Sequence, residues 1–131
     1  MKIIRYSSIP IIVLIILCLP GCLIQHDDTK PITRTSAYPR LIDRAKKDKR
    51  YIIMHSGIDT YAVASVVVEK SKKEFTVHLN KIDSFHRVNM NNPKLSGEKY
   101  AHMYMRDSTS YTLDEPHTLL LKKIARIELV D

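Results

Sequence analysis

Phe75-Thr76-Val77-His78-Leu79-Asn80 alternates strictly, with Phe75, Val77 and Leu79 on one side and Thr76, His78 and Asn80 on the other. That two-residue period is what a half-buried antiparallel strand requires. Immediately upstream, Ser71-Lys72-Lys73-Glu74 reads as a polar hairpin loop, and residues 61–69 before it form a long β-branched run. Further back, residues 51–56 end at Gly57-Ile58-Asp59, a turn whose glycine can take positive φ. Downstream, residues 83–99 are a polar excursion rich in turn formers (Asn89, Asn91, Asn92, Pro93, Ser96, Gly97). Residues 100–105 return to strand language, and Tyr111-Thr112-Leu113 extends a hairpin after the polar turn at 106–110. Two apolar strands close the chain at 118–121 and 127–130, joined by one helical turn at Lys122-Lys123-Ile124-Ala125. A continuous helix over 119–129 competes there, because Leu120, Ile124 and Ile127 also share a helical face.

The expectation is therefore a mainly β domain over residues 50–131, a small antiparallel barrel or sandwich of five to six strands. A unit of roughly 80 residues buries only a little over 60% of its unfolded surface. Its core must come from Tyr51, Ile53, Val63, Val67, Phe75, Val77, Leu79, Met103, Leu120, Ile124, Ile127 and Leu129. Two hairpins, an apolar strand, a helical turn and a final strand make this order similar to the SH3-like barrels found in some small lipoproteins.

Charge is distributed unevenly along the 131 residues, which carry a net +7. Residues 22–50 hold eight basic residues against four acids, whereas residues 51–131 hold eleven against ten. A nucleic-acid binder carries its basic residues on the folded surface, interleaved with aromatics. Here the excess lies in the arm before the domain, so no nucleic-acid partner is expected. Residues 23–38 read as a flexible linker and residues 39–48 as a short helix with Pro39 in its first turn.

The start of the chain supplies an address. Lys2 and Arg5 precede an uncharged apolar run from Ile9 to Leu19, which Pro20 and Gly21 interrupt. The run is too short for a bilayer span, which needs about 20 apolar residues, and has the form of a secretory signal peptide. Leu19-Pro20-Gly21-Cys22 resembles the lipobox of bacterial lipoproteins. The resemblance implies removal of residues 1–21 and lipidation of Cys22, with palmitate-type acyl chains as the membrane partner. It implies a place in the bacterial cell envelope, at the outer membrane, facing the periplasm or the cell surface. Pro20 departs from the pattern, which more often has Ala, Ser or Thr there. The other cysteine, Cys18, falls inside the removed segment, so the mature chain would hold no disulfide.

Signatures of catalysis are few. There is no Gly-x-Ser-x-Gly elbow, no His-Glu-x-x-His motif and no glycine-rich phosphate loop. Five histidines (His55, His78, His86, His102, His117) lie in the domain, without an i, i+2 or i, i+4 pair that would force a metal site. Tyr51, Tyr61, Tyr100, Tyr104 and Tyr111 are either packing residues or a binding platform. The leading expectation is a non-enzymatic, lipid-tethered module, without cofactor or metal, that binds an envelope protein or a cell-wall component. The competing one is an envelope hydrolase or metal-handling protein using His78, His102 and Asp107, with Ser108 or Ser110 nearby.

Overall fold

A computed structural model describes residues 31–131; the expected signal segment and the expected lipidation position, Cys22, lie outside the described residues. The chain forms a mainly β domain with six strands: β1 (Tyr51–Ser56), β2 (Asp59–Glu69), β3 (Glu74–Asn80), β4 (Tyr100–Met105), β5 (Pro116–Leu120) and β6 (Ile124–Val130). They build one sheet in the order β5-β3-β2-β1-β4-β6. Two helices accompany it, α1 (Tyr38–Lys47) and α2 (Ser84–Asn89).

Mainly β class and strand number agree with the sequence reading. In finer detail the sheet differs from an antiparallel barrel: it is not closed, and β1 pairs with β4 in parallel. Residues 121–123 form a single 3-10 turn between β5 and β6, so the continuous C-terminal helix does not form. No strand forms at residues 111–113.

The helix near residues 39–48 is integral to the fold. Tyr38, Leu41, Ile42 and Ala45 recur at helical spacing and are all buried. They pack with Ile52, Met54, Phe75, Val77, Leu79, Met103, Ile124, Ile127 and Leu129 in one cluster on one face of the sheet. The Tyr38 hydroxyl donates to the Ala125 carbonyl at 2.9 Å, pinning the start of α1 to β6. Its other end closes in a Schellman arrangement: Lys49 takes φ +55°, its N–H reaches the Lys46 carbonyl, and Arg50 N–H reaches that of Ala45. Arg50 then enters the sheet with its side chain buried, donating to the Tyr100 and Val130 carbonyls at 3.2 Å and pairing with Asp131 at 2.7 Å. The folded unit thus begins before residue 50, because a single sheet face this apolar needs a covering layer.

Two expected core residues point outward, for one reason each. In β2 the register shifts between Val63 and Ser65, so Val66 and Val68 turn inward while Val67 is 62% exposed. In β5, Leu119 lies opposite Phe75 and packs on the core, which leaves Leu120 out of it at the end of the strand, 37% exposed. Tyr51 belongs to a second, smaller cluster on the opposite face, with Ile53, Ala62, Ile82 and Tyr100. Gly57 is required by its surroundings: φ is +62°, and a Cβ there would stand 2.6 Å from that of Ser108.

Ile42→Ala should lower unfolding free energy by about 2–4 kcal/mol in chemical denaturation, the usual cost of emptying a fully buried aliphatic site. A chain beginning at residue 50 should lose its cooperative thermal transition altogether. Retention of that transition would show that the sheet does not depend on α1.

Candidate functional site

Alternation along β1 and β4 places one residue in two on the face away from α1. On β1 these are Tyr51, Ile53 and His55; on β4 they are Tyr100, His102 and Tyr104. The parallel register sets Ile53 beside His102 and His55 beside Tyr104. His55 therefore meets both rings: it stacks on Tyr104 with centroids 4.3 Å apart and planes 10° off parallel, and lies 5.1 Å from the His102 ring. From β6, Arg126 faces Tyr104 and Glu128 faces His102. The Arg126 guanidinium carbon sits 4.0 Å from the centre of the Tyr104 ring, a cation–π contact.

At the other end of the row, α2 lies over the sheet. Asp83 caps the helix, accepting from His86 N–H at 2.8 Å, and its second oxygen is 2.6 Å from His86 Nδ1. So fixed, the His86 ring stacks on Tyr51 at 3.7 Å, 3° from parallel. The face is thus a continuous row of imidazole and phenol rings, buried at Tyr100 and His102 and opening to solvent at His55, Tyr104 and Arg126.

The centre of the row is a histidine pair, His55 Nε2 and His102 Nδ1 at 2.8 Å. One ring donates and the other accepts, the roles being set by the two tautomers. Burial pushes the His55 ring down to about 4, and the neighbouring His102 and Arg126 push the same way. Burial also lowers His102, against the opposing pull of Glu128. Both rings are neutral at pH 7, and the pair can pass a hydrogen bond along the row without carrying charge.

The residues of the competing reading are not brought together. His78 is on β3 and His102 on β4, with β2 and β1 between them. Asp107 follows β4, within 3.8 Å of Lys123, and its carbonyl lies 3.4 Å from the buried Ser56 hydroxyl. Ser110 donates to Asp59, and His117 bonds to the Thr112 backbone. Among the described residues no group of three or more His, Cys, Asp or Glu side chains is arranged to hold a metal ion. No helix among them is long and apolar enough to cross a membrane. Of the five tyrosines, Tyr51, Tyr100 and Tyr104 belong to the row, whereas Tyr61 and Tyr111 meet edge-on elsewhere, with the Tyr61 hydroxyl accepting from Tyr111 N–H. The signal that marks the row in the sequence is Tyr-x-His-x-Tyr at 100–104 beside Tyr-x-Ile-x-His at 51–55. Compared with known proteins, the chain matches no family model, no curated protein and no solved structure.

The depressed His55 and His102 values fix the sign of a pH dependence. The unfolded chain, with ordinary histidines near 6.5, binds more protons than the folded one between about 4 and 6.5. The pair's contribution is complete above pH 6.5 and is lost as pH falls toward 4. Through His55 the native protein should lose about 1–3 kcal/mol across that window, and His102 is shifted in the same direction. His55→Gln/His102→Gln should flatten that slope when denaturant midpoints at pH 7 and pH 4.5 are compared.

Proposed function

We propose that this chain is a lipid-anchored protein of the bacterial cell envelope, held at the outer membrane through acylated Cys22, that acts by binding through its histidine–tyrosine face. The anchor is supported by Leu19-Pro20-Gly21-Cys22 behind a short charged-then-apolar leader. Two or more acyl chains hold stably, since each buried methylene contributes about 0.8 kcal/mol.

The observation that carries the binding role is the open end of the ring row, Tyr104 with Arg126 over it and His55 beneath. Tyr and Arg are the side chains that most often dominate interface energetics. Their stacking here leaves little rotamer freedom to lose on association. Arg126 is exposed, and among the described residues no carboxylate pairs with it. The partner this face fits is an envelope protein or a cell-wall component that presents a carboxylate beside an apolar or aromatic group. Such a face binds and holds; it offers no activated nucleophile, and the role proposed is non-enzymatic.

Two measurements test the two halves of the proposal. The mature N-terminal peptide from membrane fractions should begin at Cys22 with a lipid-sized mass increment, and Cys22→Ala should abolish both increment and membrane association. A peptide still carrying Met1 would refute the anchor. A photo-crosslinking side chain at position 126 should trap a discrete envelope partner, and Tyr104→Ala should weaken capture about tenfold at unchanged melting temperature. Equal trapping at position 118, on the distant β5 edge, would refute the face.

A further inference from the structure

On the side of the sheet that carries α1, a second feature is built from three separate segments. Thr35, Ser36, Pro39 and Arg40 from the approach to α1 and its first turn, Lys70 and Lys73 from the β2–β3 connection, and Leu121 after β5 enclose a cleft of about 510 Å³. That volume lies within the roughly 300–1,000 Å³ of small-ligand clefts. A smaller hollow of about 220 Å³ adjoins it, shares Thr35 and Lys73, and adds Lys72, Leu120 and Lys122. Pro39, Leu120 and Leu121 give an apolar lining, and five cations surround it: Arg40, Lys70, Lys72, Lys73 and Lys122.

These cations are not spent on internal pairing. Among the described residues only Lys72 of the five has a carboxylate partner, Glu69 at 3.7 Å. The exposed side of α1 continues the charge with Arg44, Lys46 and Lys47, interrupted by Asp43 and Asp48. Like charges gathered around one cleft repel one another, a cost that an anionic partner reduces.

The chain's own path indicates the partner. Ile32 is stitched to β6 by paired bonds with Ile127, each 2.9 Å, so residue 35 at the mouth of the cleft is held against the domain. Nine residues lie between Cys22 and Ile32, so the ten steps reach at most about 35 Å even when extended. An acylated Cys22 therefore keeps the bilayer within reach of this cleft, and Lys and Arg gain attraction to anionic headgroups that come within a Debye length.

We infer that this cationic cleft, formed by Arg40, Lys70, Lys72, Lys73 and Lys122 around Pro39, Leu120 and Leu121, seats anionic phospholipid headgroups of the membrane holding the anchor. The inference rests on the lipid-anchor reading and deepens it. Because the cleft lies on the α1 side and the ring row on the opposite face of the same sheet, headgroup docking turns His55, Tyr104 and Arg126 away from the bilayer. The anchor supplies attachment, and the cleft supplies orientation.

The test uses the full lipidated protein on vesicles of phosphatidylcholine alone or mixed with phosphatidylglycerol, read by flotation and by amide hydrogen exchange. Flotation on phosphatidylcholine reports the anchor. The expected result is several-fold slower exchange at residues 35–40 and 70–73 only when phosphatidylglycerol is present, reversed by high salt. Residues 102–105 should exchange equally on both. Arg40→Glu/Lys70→Glu should abolish that protection while still floating. Both positions are exposed, and an acid at residue 40 suits the first turn of α1. Flotation with identical exchange on both vesicles overturns the headgroup site and leaves the anchor intact. Failure to float on phosphatidylcholine overturns the anchor, and the site falls with it if phosphatidylglycerol then gives no protection. Protection by poly-glutamate but not by phosphatidylglycerol assigns the cleft to an acidic protein and overturns the proposal.

Discussion

Strands β1 and β4 run parallel at the centre of the sheet, in register from Tyr51 opposite Tyr100 to His55 opposite Tyr104. Parallel pairs are stable when both faces are covered, and that condition is met over most of this pair. Ile52, Met54, Ala101 and Met103 lie beneath α1, and Ile53 and Tyr100 pack in the smaller cluster with Ile82. A slip of one residue would exchange the two faces, driving His55 and His102 into the aliphatic core and Met54 and Met103 into solvent. The register is therefore held by the burial energy of both faces at once. The histidine pair, the stacked Tyr104 and the position of Arg126 all follow from it, since none of these contacts exists within a single stretch of chain.

This explains what could be read from the sequence and what could not. Strands marked by short-range alternation were legible: residues 74–80, the turn at Gly57, and the strand–turn–strand ending the chain. Pairing between β1 and β4 carries no local mark, because the intervening chain builds β2, β3 and α2 before returning. His78 and His102 looked equivalent by alternation, yet His55 is the residue that reaches His102. The β-bulge near Ala64 is equally invisible: the consecutive valines 66–68 allow either phase, and only pairing with Val77 and Leu79 settles that Val66 faces inward. A helix is legible at residues 39–48, but not its place in the core, because the apolar stripe of Leu41, Ile42 and Ala45 is narrow. Tyr38, at its start, completes that stripe and bonds to Ala125.

The two faces of the sheet divide the chemistry of the molecule between them. On the α1 side, cations gather where three separate segments meet, and the long aliphatic stems of Arg and Lys can lie along apolar lining while their charges stay wet. On the other side, rings stack edge to edge with a single guanidinium at the open end. Electrostatics of the first kind are screened by salt, whereas stacked, partly buried rings are much less so. The molecule thus carries two surfaces whose attractions respond differently to the same medium.

The short pairing of Ile32 with Ile127 has a consequence for how copies of this protein behave when crowded on a surface. An open sheet has two rims, each able to recruit a strand from a neighbour. On the β6 rim the incoming chain already occupies the middle position, where Ile32 and Ile127 exchange both backbone bonds. The opposite rim, β5, is five residues long and begins with Pro116, which has no N–H to donate. One rim is occupied by the segment that precedes α1 and the other is short and partly mute, so the open sheet resists growing into ribbons.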